Sequence, residues 1–217
     1  MKGLFLKDFR YLLLQKSFFG LILIFGLALS LTMGDRYYFV LGYLTFMGAI
    51  LGFITITMDD QTNDMAFLFT LPFSRRQYVQ EKYLLSLIML FLSCTISLMV
   101  VFLTRWIKHY TTPPSEILFA ALGCCACLIF FLSLMLPLTL KFGEERARLA
   151  YLISLGAFIV AIVPIITLIN FLNTTHSFSL LWLISTEVWL ILGTFIILLC
   201  LVISYRISLR ILEHRDF

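Results

Sequence analysis

The sequence predicts an all-α, polytopic membrane protein: six transmembrane helices preceded by an amphipathic helix lying on the membrane surface. Three observations carry that expectation. The chain is 61% hydrophobic and only 13% charged, with a mean hydropathy of +1.02, far from the balance of a domain that needs a polar surface. Its apolar residues gather into six stretches, each near the ~20 residues that a ~30 Å hydrocarbon core requires. Its charges fall in the gaps between them. Six spans use up nearly all 217 residues, so a single membrane domain, 1–217, is expected and no separate soluble domain fits.

The elements follow in chain order. Residues 1–16 place Phe5, Leu6, Phe9, Leu12 and Leu13 on one arc and Lys7, Asp8, Arg10, Tyr11 and Gln15 on the other, with Lys2, Leu4 and Leu14 breaking the pattern. This start reads as an interfacial helix. The charges at Lys7, Asp8, Arg10 and Lys16 and the lack of a small-x-small site argue against a cleavable signal. The spans are expected over 18–33, 37–58, 83–104, 116–140, 149–170 and 186–205. Gly42, Gly48 and Gly52 in the second span are small enough to admit a neighbouring helix closely. Pro137 in the fourth is expected to kink or end its helix, because it lacks the amide donor. Residues 105–115, with Pro113 and Pro114, read as an outer loop, and Trp106 and Trp182 as interface anchors.

Orientation follows from the basic residues. With the N-terminus inside, thirteen of the sixteen Lys and Arg lie on the inner side, and only Arg36, Arg105 and Lys108 lie outside. Both termini are therefore expected in the cytoplasm. The same placement excludes nucleic acid as a partner, since no basic face with stacking aromatics is formed. Cys94, Cys124, Cys125, Cys127 and Cys200 lie within apolar runs, without nearby His or carboxylate, and read as packing residues; no metal site is expected.

The longest polar segment, 59–82, is too structured to be a plain connector. Asp59, Asp60 and Asp64 place negative charge near the start of a short helix through Met65 to Thr70. Leu71 before Pro72 must leave helical geometry. Ser74 and Gln77 then match a capping box, opening a helix that runs through Lys82 into the third span. Met65, Phe67, Leu68 and Phe69 form an apolar patch with charged edges. Two readings stand side by side: the patch docks a protein partner, or it lies on the lipid interface while Arg75 and Arg76 anchor topology.

LPFSRRQYVQEKYL after this acidic stretch resembles the signature of the type-2 ABC exporter permeases, in particular the small six-span permeases of exporters of phenol-soluble modulins and other peptides. LPLTLKFGEERAR, Leu136 to Arg148, is similar to the second cytoplasmic signature of that family, and the amphipathic start and the tail EHRDF match it in character. The resemblance implies that the segment Asp64 to Leu71 is a coupling helix seated in a groove of a separate cytoplasmic ATPase. Asp64, Phe67, Phe69 and Leu71 would dock, with Asp59, Asp60, Met65 and Pro72 in the same element and Arg75, Arg76 and Lys82 at the membrane boundary. In the second loop, Lys141, Gly143, Glu144, Glu145 and Arg148 either face the ATPase or pair among themselves. Two ATPase copies and a second permease chain, identical or related, are implied as partners in a bacterial plasma membrane.

No Gly-x-x-x-x-Gly-Lys-Ser/Thr motif occurs, so no nucleotide cofactor is expected in this chain; ATP and Mg would be bound by the partner. Thr45, Thr55, Ser93 and Ser97, with Thr95 and Thr104, offer a mildly polar lining suited to an amphipathic peptide or lipid-like cargo, although such hydroxyls commonly bond helix backbones. An intramembrane protease is disfavoured: Glu144, Glu145 and Arg148 are spaced one residue too short for a Glu-Glu-x-x-x-Arg element, and His109, His176 and His214 fall in outer loops and tail. A non-transporting immunity or anchor protein is the remaining alternative.

Overall fold

The computed structural model describes residues 2–32, 36–61, 74–109, 113–142, 149, 152–157, 159–160, 163–164, 167 and 186–214. Six principal helices order these residues: α1 (Lys2–Leu14), α2 (Lys16–Thr32), α3 (Tyr37–Gln61), α4 (Arg75–Lys108), α5 (Pro114–Phe142) and α6 (Thr186–Glu213). No strand occurs among the described residues. Four helices are long and apolar enough to cross a membrane, within α3, α4, α5 and α6, and α1 with α2 passes the same test only as a pair bent by 63°. Four to five spans are thus visible where six are expected. Most of the fifth expected span, 149–170, lies outside the described residues.

The break at Gln15 separates α1 from α2, and the bend turns α1 away from the line of the span. The two faces of α1 divide differently from the expected arc. Leu4, Asp8 and Leu12, spaced four apart, are buried against the bundle, whereas Leu6, Phe9, Leu13 and Leu14 are exposed. Leu4, which breaks the simple amphipathic pattern, is therefore a packing residue. Asp8, expected on the solvated arc, is 2% exposed.

The centre of the molecule is the α3–α4 pair. A Cβ on Gly52 would come within 2.5 Å of the Ser86 Cα, and one on Gly48 would collide with the Ser93 side chain, so only glycine lets these backbones meet. Gly42, one of the three glycines expected to do this, faces open space.

Helix α4 is 34 residues long, about 50 Å at 1.5 Å per residue. That exceeds the hydrocarbon core by several turns, and the apolar run 83–104 is the part that spans it. The first turns, Arg75 to Lys82, form an extension beyond the membrane core. The capping box is present at its start: the Ser74 hydroxyl accepts from the Gln77 amide and the Gln77 side chain accepts from the Ser74 amide. At the other end α4 runs four residues past the expected loop boundary and stops at His109, which adopts the left-handed conformation at φ 53° and donates its amide to the Arg105 carbonyl. Pro114 opens α5 at a position where no amide donor is needed.

Pro137 neither ends α5 nor stops it short, since the helix continues to Phe142. The reason lies across the helix interface. Pro137 withholds the N–H that would bond the Ser133 carbonyl one turn back, and the Ser204 hydroxyl of α6 donates to that carbonyl instead. Tyr83 of α4 completes the junction. Because the Ser204 hydrogen is committed to Ser133, the Tyr83 hydroxyl donates to Ser204 at 2.6 Å and accepts from Ser208 at 2.8 Å. Three helices are thereby joined through one orphaned carbonyl. Packed beside this junction is a core of Leu4, Ile56, Tyr78, Val79, Met135, Leu140 and Leu212 that draws on α1 and α3 to α6 at the same end of the bundle.

Candidate functional site: a buried ion cluster at the root of residues 62–73

The segment 62–73 lies outside the described residues, but both of its flanks are described, and both are anchored. On the entry side stands Asp59, in the last turn of α3 and 3% exposed. One of its oxygens accepts from Lys7 of α1, and the other lies 2.7 Å from the Lys82 ammonium and accepts from the Tyr78 hydroxyl at 3.0 Å. Lys82 in turn pairs with Asp8 and approaches the Thr55 hydroxyl at 3.3 Å. Its ammonium stands 5.2 Å from the centre of the Tyr78 ring and its residue is 1% exposed.

Five ionisable groups from three helices thus meet, four of them buried: Asp8 from α1, Asp59 from α3, and Glu81 and Lys82 from α4, with the partly exposed Lys7 of α1 at the edge. Burial of charge is costly, and only mutual pairing with full hydrogen bonding offsets it. Lys82 meets that condition with three acceptors around one ammonium. Burial pushes the Asp8 carboxyl above its ordinary range, and the Asp59 charge adds to this, while Lys82 pulls it back down. Glu81 is the poorly served member. It is 5% exposed, and neither of its carboxyl oxygens has a hydrogen-bond partner; Lys82 lies 3.8 Å away.

On the exit side stands Arg75, in the first turn of α4. Its guanidinium donates to the Leu212 carbonyl at 2.7 Å and to the Glu213 carbonyl at 2.8 Å. These belong to the last turn of α6, where carbonyls lack helical partners and the dipole favours a cation. The described chain thus meets an ion cluster rooted in α1, α3 and α4 just before residue 62, and just after residue 73 a cap that ties α4 to α6.

Of the residues proposed for coupling, Asp59, Arg75 and Lys82 fall in these two anchors, and Arg76 is exposed beside them. Asp60 lies in the last turn of α3. Asp64, Met65, Phe67, Phe69, Leu71 and Pro72 lie outside the described residues, as do Gly143, Glu144, Glu145 and Arg148 of the second loop. Lys141 is exposed, with its ammonium 5.6 Å from the Phe142 ring centre. The hydroxyls considered for a cargo path turn inward to their own helices: Thr45 donates to the Leu41 carbonyl, Thr55 to Gly52, Ser93 to Leu90 and Ser97 to Cys94. Among the cysteines, Cys94 and Cys125 are buried as packing residues should be, but Cys127 is exposed.

Sequence reasoning missed Asp8, Tyr78, Glu81 and the role of Lys7. A signal for Asp8 exists: it lies four residues from both Leu4 and Leu12, so a helix that buries those two must bury it as well. Nothing local names its partner, which is 74 positions away.

Among the described residues, the fold and this site define a helical membrane protein whose spans are tied together by a buried ion cluster. The family follows from comparison: residues 3–213 match the model of the ABC-2 family transporter protein, and the chain belongs to that family. No curated protein and no solved structure matches it.

Proposed function

We propose that the chain is the membrane-spanning permease subunit of an ATP-driven exporter, with residues 62–73 as the element on which a separate ATPase acts. Membership of the ABC-2 transporter family across residues 3–213 is the observation that carries this reading. The anchoring of both flanks of 62–73 supports it on physical grounds. A lever transmits force only if its root is stiff, and this root is joined to α1, α3, α4 and α6 by charge-assisted bonds. Movement of the segment would displace four helices together.

In this reading the chain itself does not hydrolyse ATP; nucleotide and Mg belong to two ATPase subunits, which act on a pair of permease chains in a bacterial plasma membrane with both termini in the cytoplasm. The cargo class proposed is an amphipathic peptide or a lipid-like molecule, in keeping with an interior whose spans carry hydroxyls but few charges. The test is reconstitution in liposomes with an ABC ATPase subunit that co-purifies with the chain. Stimulation of ATP hydrolysis by amphipathic peptide, abolished by Phe67→Ala with Phe69→Ala, is the expected result. ATPase binding that persists without those side chains would remove the docking role, and no peptide-dependent turnover would remove the cargo class.

A further inference from the structure

Among the described residues, the ion cluster contains one carboxyl more than its cations balance. Lys7 and Lys82 supply two positive charges, and Asp8 and Asp59 answer them with direct ion pairs. Glu81 is the fifth member. Its oxygens are enclosed and receive no hydrogen bond, and its nearest cation, 3.8 Å away, already bonds Asp8 and Asp59. A bare carboxylate in such surroundings is the costliest state a side chain of this kind can take, whereas the neutral acid carries a donor of its own.

The groups that face Glu81 from each neighbouring helix decide where that donor goes. From α1 come Asp8 and, behind it, Lys7; from α3 comes Asp59; on α4 itself stand Lys82 and Tyr78. Lys7, Lys82 and the Tyr78 hydroxyl donate to the aspartates, and Asp8 is the carboxylate placed to share a hydrogen bond with Glu81. We propose that Glu81 carries a proton, shared with Asp8, that fastens the N-terminal helix α1 to the start of α4 and makes its docking sensitive to pH. With that proton the cluster holds two cations, two anions and one neutral acid. Without it, a third negative charge stands unpaired between α1 and α4, and the cheapest relief is for α1 to lift and admit water.

Glu81 precedes the apolar run that begins at Tyr83 and so lies outside the spanning segment. Burial first, then the Asp8 and Asp59 charges, push its carboxyl up to about 8 against the pull of Lys82. A carboxyl raised in the folded state contributes its full stabilisation below the ordinary value of 4.5, and that contribution is lost as pH rises through about 8. The direction is thus opposite to that of an ion-paired carboxylate. Proton occupancy and α1 docking can be read in the chain alone, so the inference stands or falls independently of the exporter reading.

The experiment uses the full chain in lipid nanodiscs between pH 6 and pH 9.5. Infrared difference spectra of the unaltered chain are expected to show a protonated carboxyl at pH 7 that disappears as pH passes about 8 and is absent from Glu81→Gln. Hydrogen exchange across residues 2–14, corrected for the intrinsic rate, is expected to lose protection as pH rises from 6 toward about 8, by at most about tenfold per pH unit, the limit for one titrating group, and to level off above that midpoint. In Glu81→Gln, which copies the neutral acid, that loss should vanish. No protonated carboxyl at pH 7, a band that survives Glu81→Gln, or equal pH sensitivity of α1 in the two proteins would each overturn the proposal; the infrared measurement decides it even where the variant folds poorly.

Discussion

The apolar run of α4 is flanked by a lysine on each side, Lys82 and Lys108, and composition treats them alike as boundary residues of one long helix. Lys82 is 1% exposed, wrapped by Asp8, Asp59 and Thr55. Lys108 is exposed and reaches the Leu31 carbonyl near the end of α2. The difference shows that a charge beside a span has two physical roles. One marks topology from water; the other is a structural bolt, removed from water and dependent on its counter-ions. Which role applies is decided by what the rest of the chain brings to it.

Removing the bolt should have the largest effect. Lys82→Met leaves Asp8 and Asp59 buried without their shared cation, a loss on the order of 3–5 kcal/mol, and the expected outcome is little or no folded protein in size-exclusion and thermal-melting measurements. Lys108→Met, the matching change at the other end, should melt within about 0.5 kcal/mol of the unaltered chain. Equal effects at the two ends would abolish the distinction.

Packing sharpens the same contrast along α3. Gly52→Leu places a side chain into the Ser86 backbone and should lower stability by about 1–3 kcal/mol or more. Gly42→Leu, facing open space, should be tolerated. Thermal melting of both variants in one detergent checks the pair.

A comparable or smaller effect is expected at the proline junction. Ser204→Ala strands the Ser133 carbonyl and should cost about 1–3 kcal/mol. Pro137→Ala restores the amide that this carbonyl lacks, so the double variant should recover part of the loss; strictly additive melting shifts would refute the exchange. Smallest of all, Arg75→Gln should fray the end of α6 by about 0.3–1 kcal/mol, seen as faster hydrogen exchange confined to residues near Leu212.

Much of the fold was legible because the bilayer imposes a simple rule on composition. A run of apolar residues must become a helix where no water can satisfy its backbone, and the helical starts at Tyr37 and at the Ser74–Gln77 capping box follow from local chemistry. The glycine contact was half legible: glycine permits a close approach, but Gly42 shows that permission is not contact. Pro137 does not end its helix, because the carbonyl it leaves without an amide partner need not go unmet. Ser204 meets it from 71 positions away.

The amino-acid order alone determined that this chain is helical and resides in a membrane, and that its charges mark the boundaries of the spans, since hydropathy and helix capping act over a few neighbouring residues. Only the tertiary structure decided that Asp8, Asp59, Glu81 and Lys82 form one buried cluster with Lys7 at its edge. The physical reason is that the energy of a buried charge depends on partners within a few ångströms, and here those partners come from three helices separated by dozens of residues along the chain.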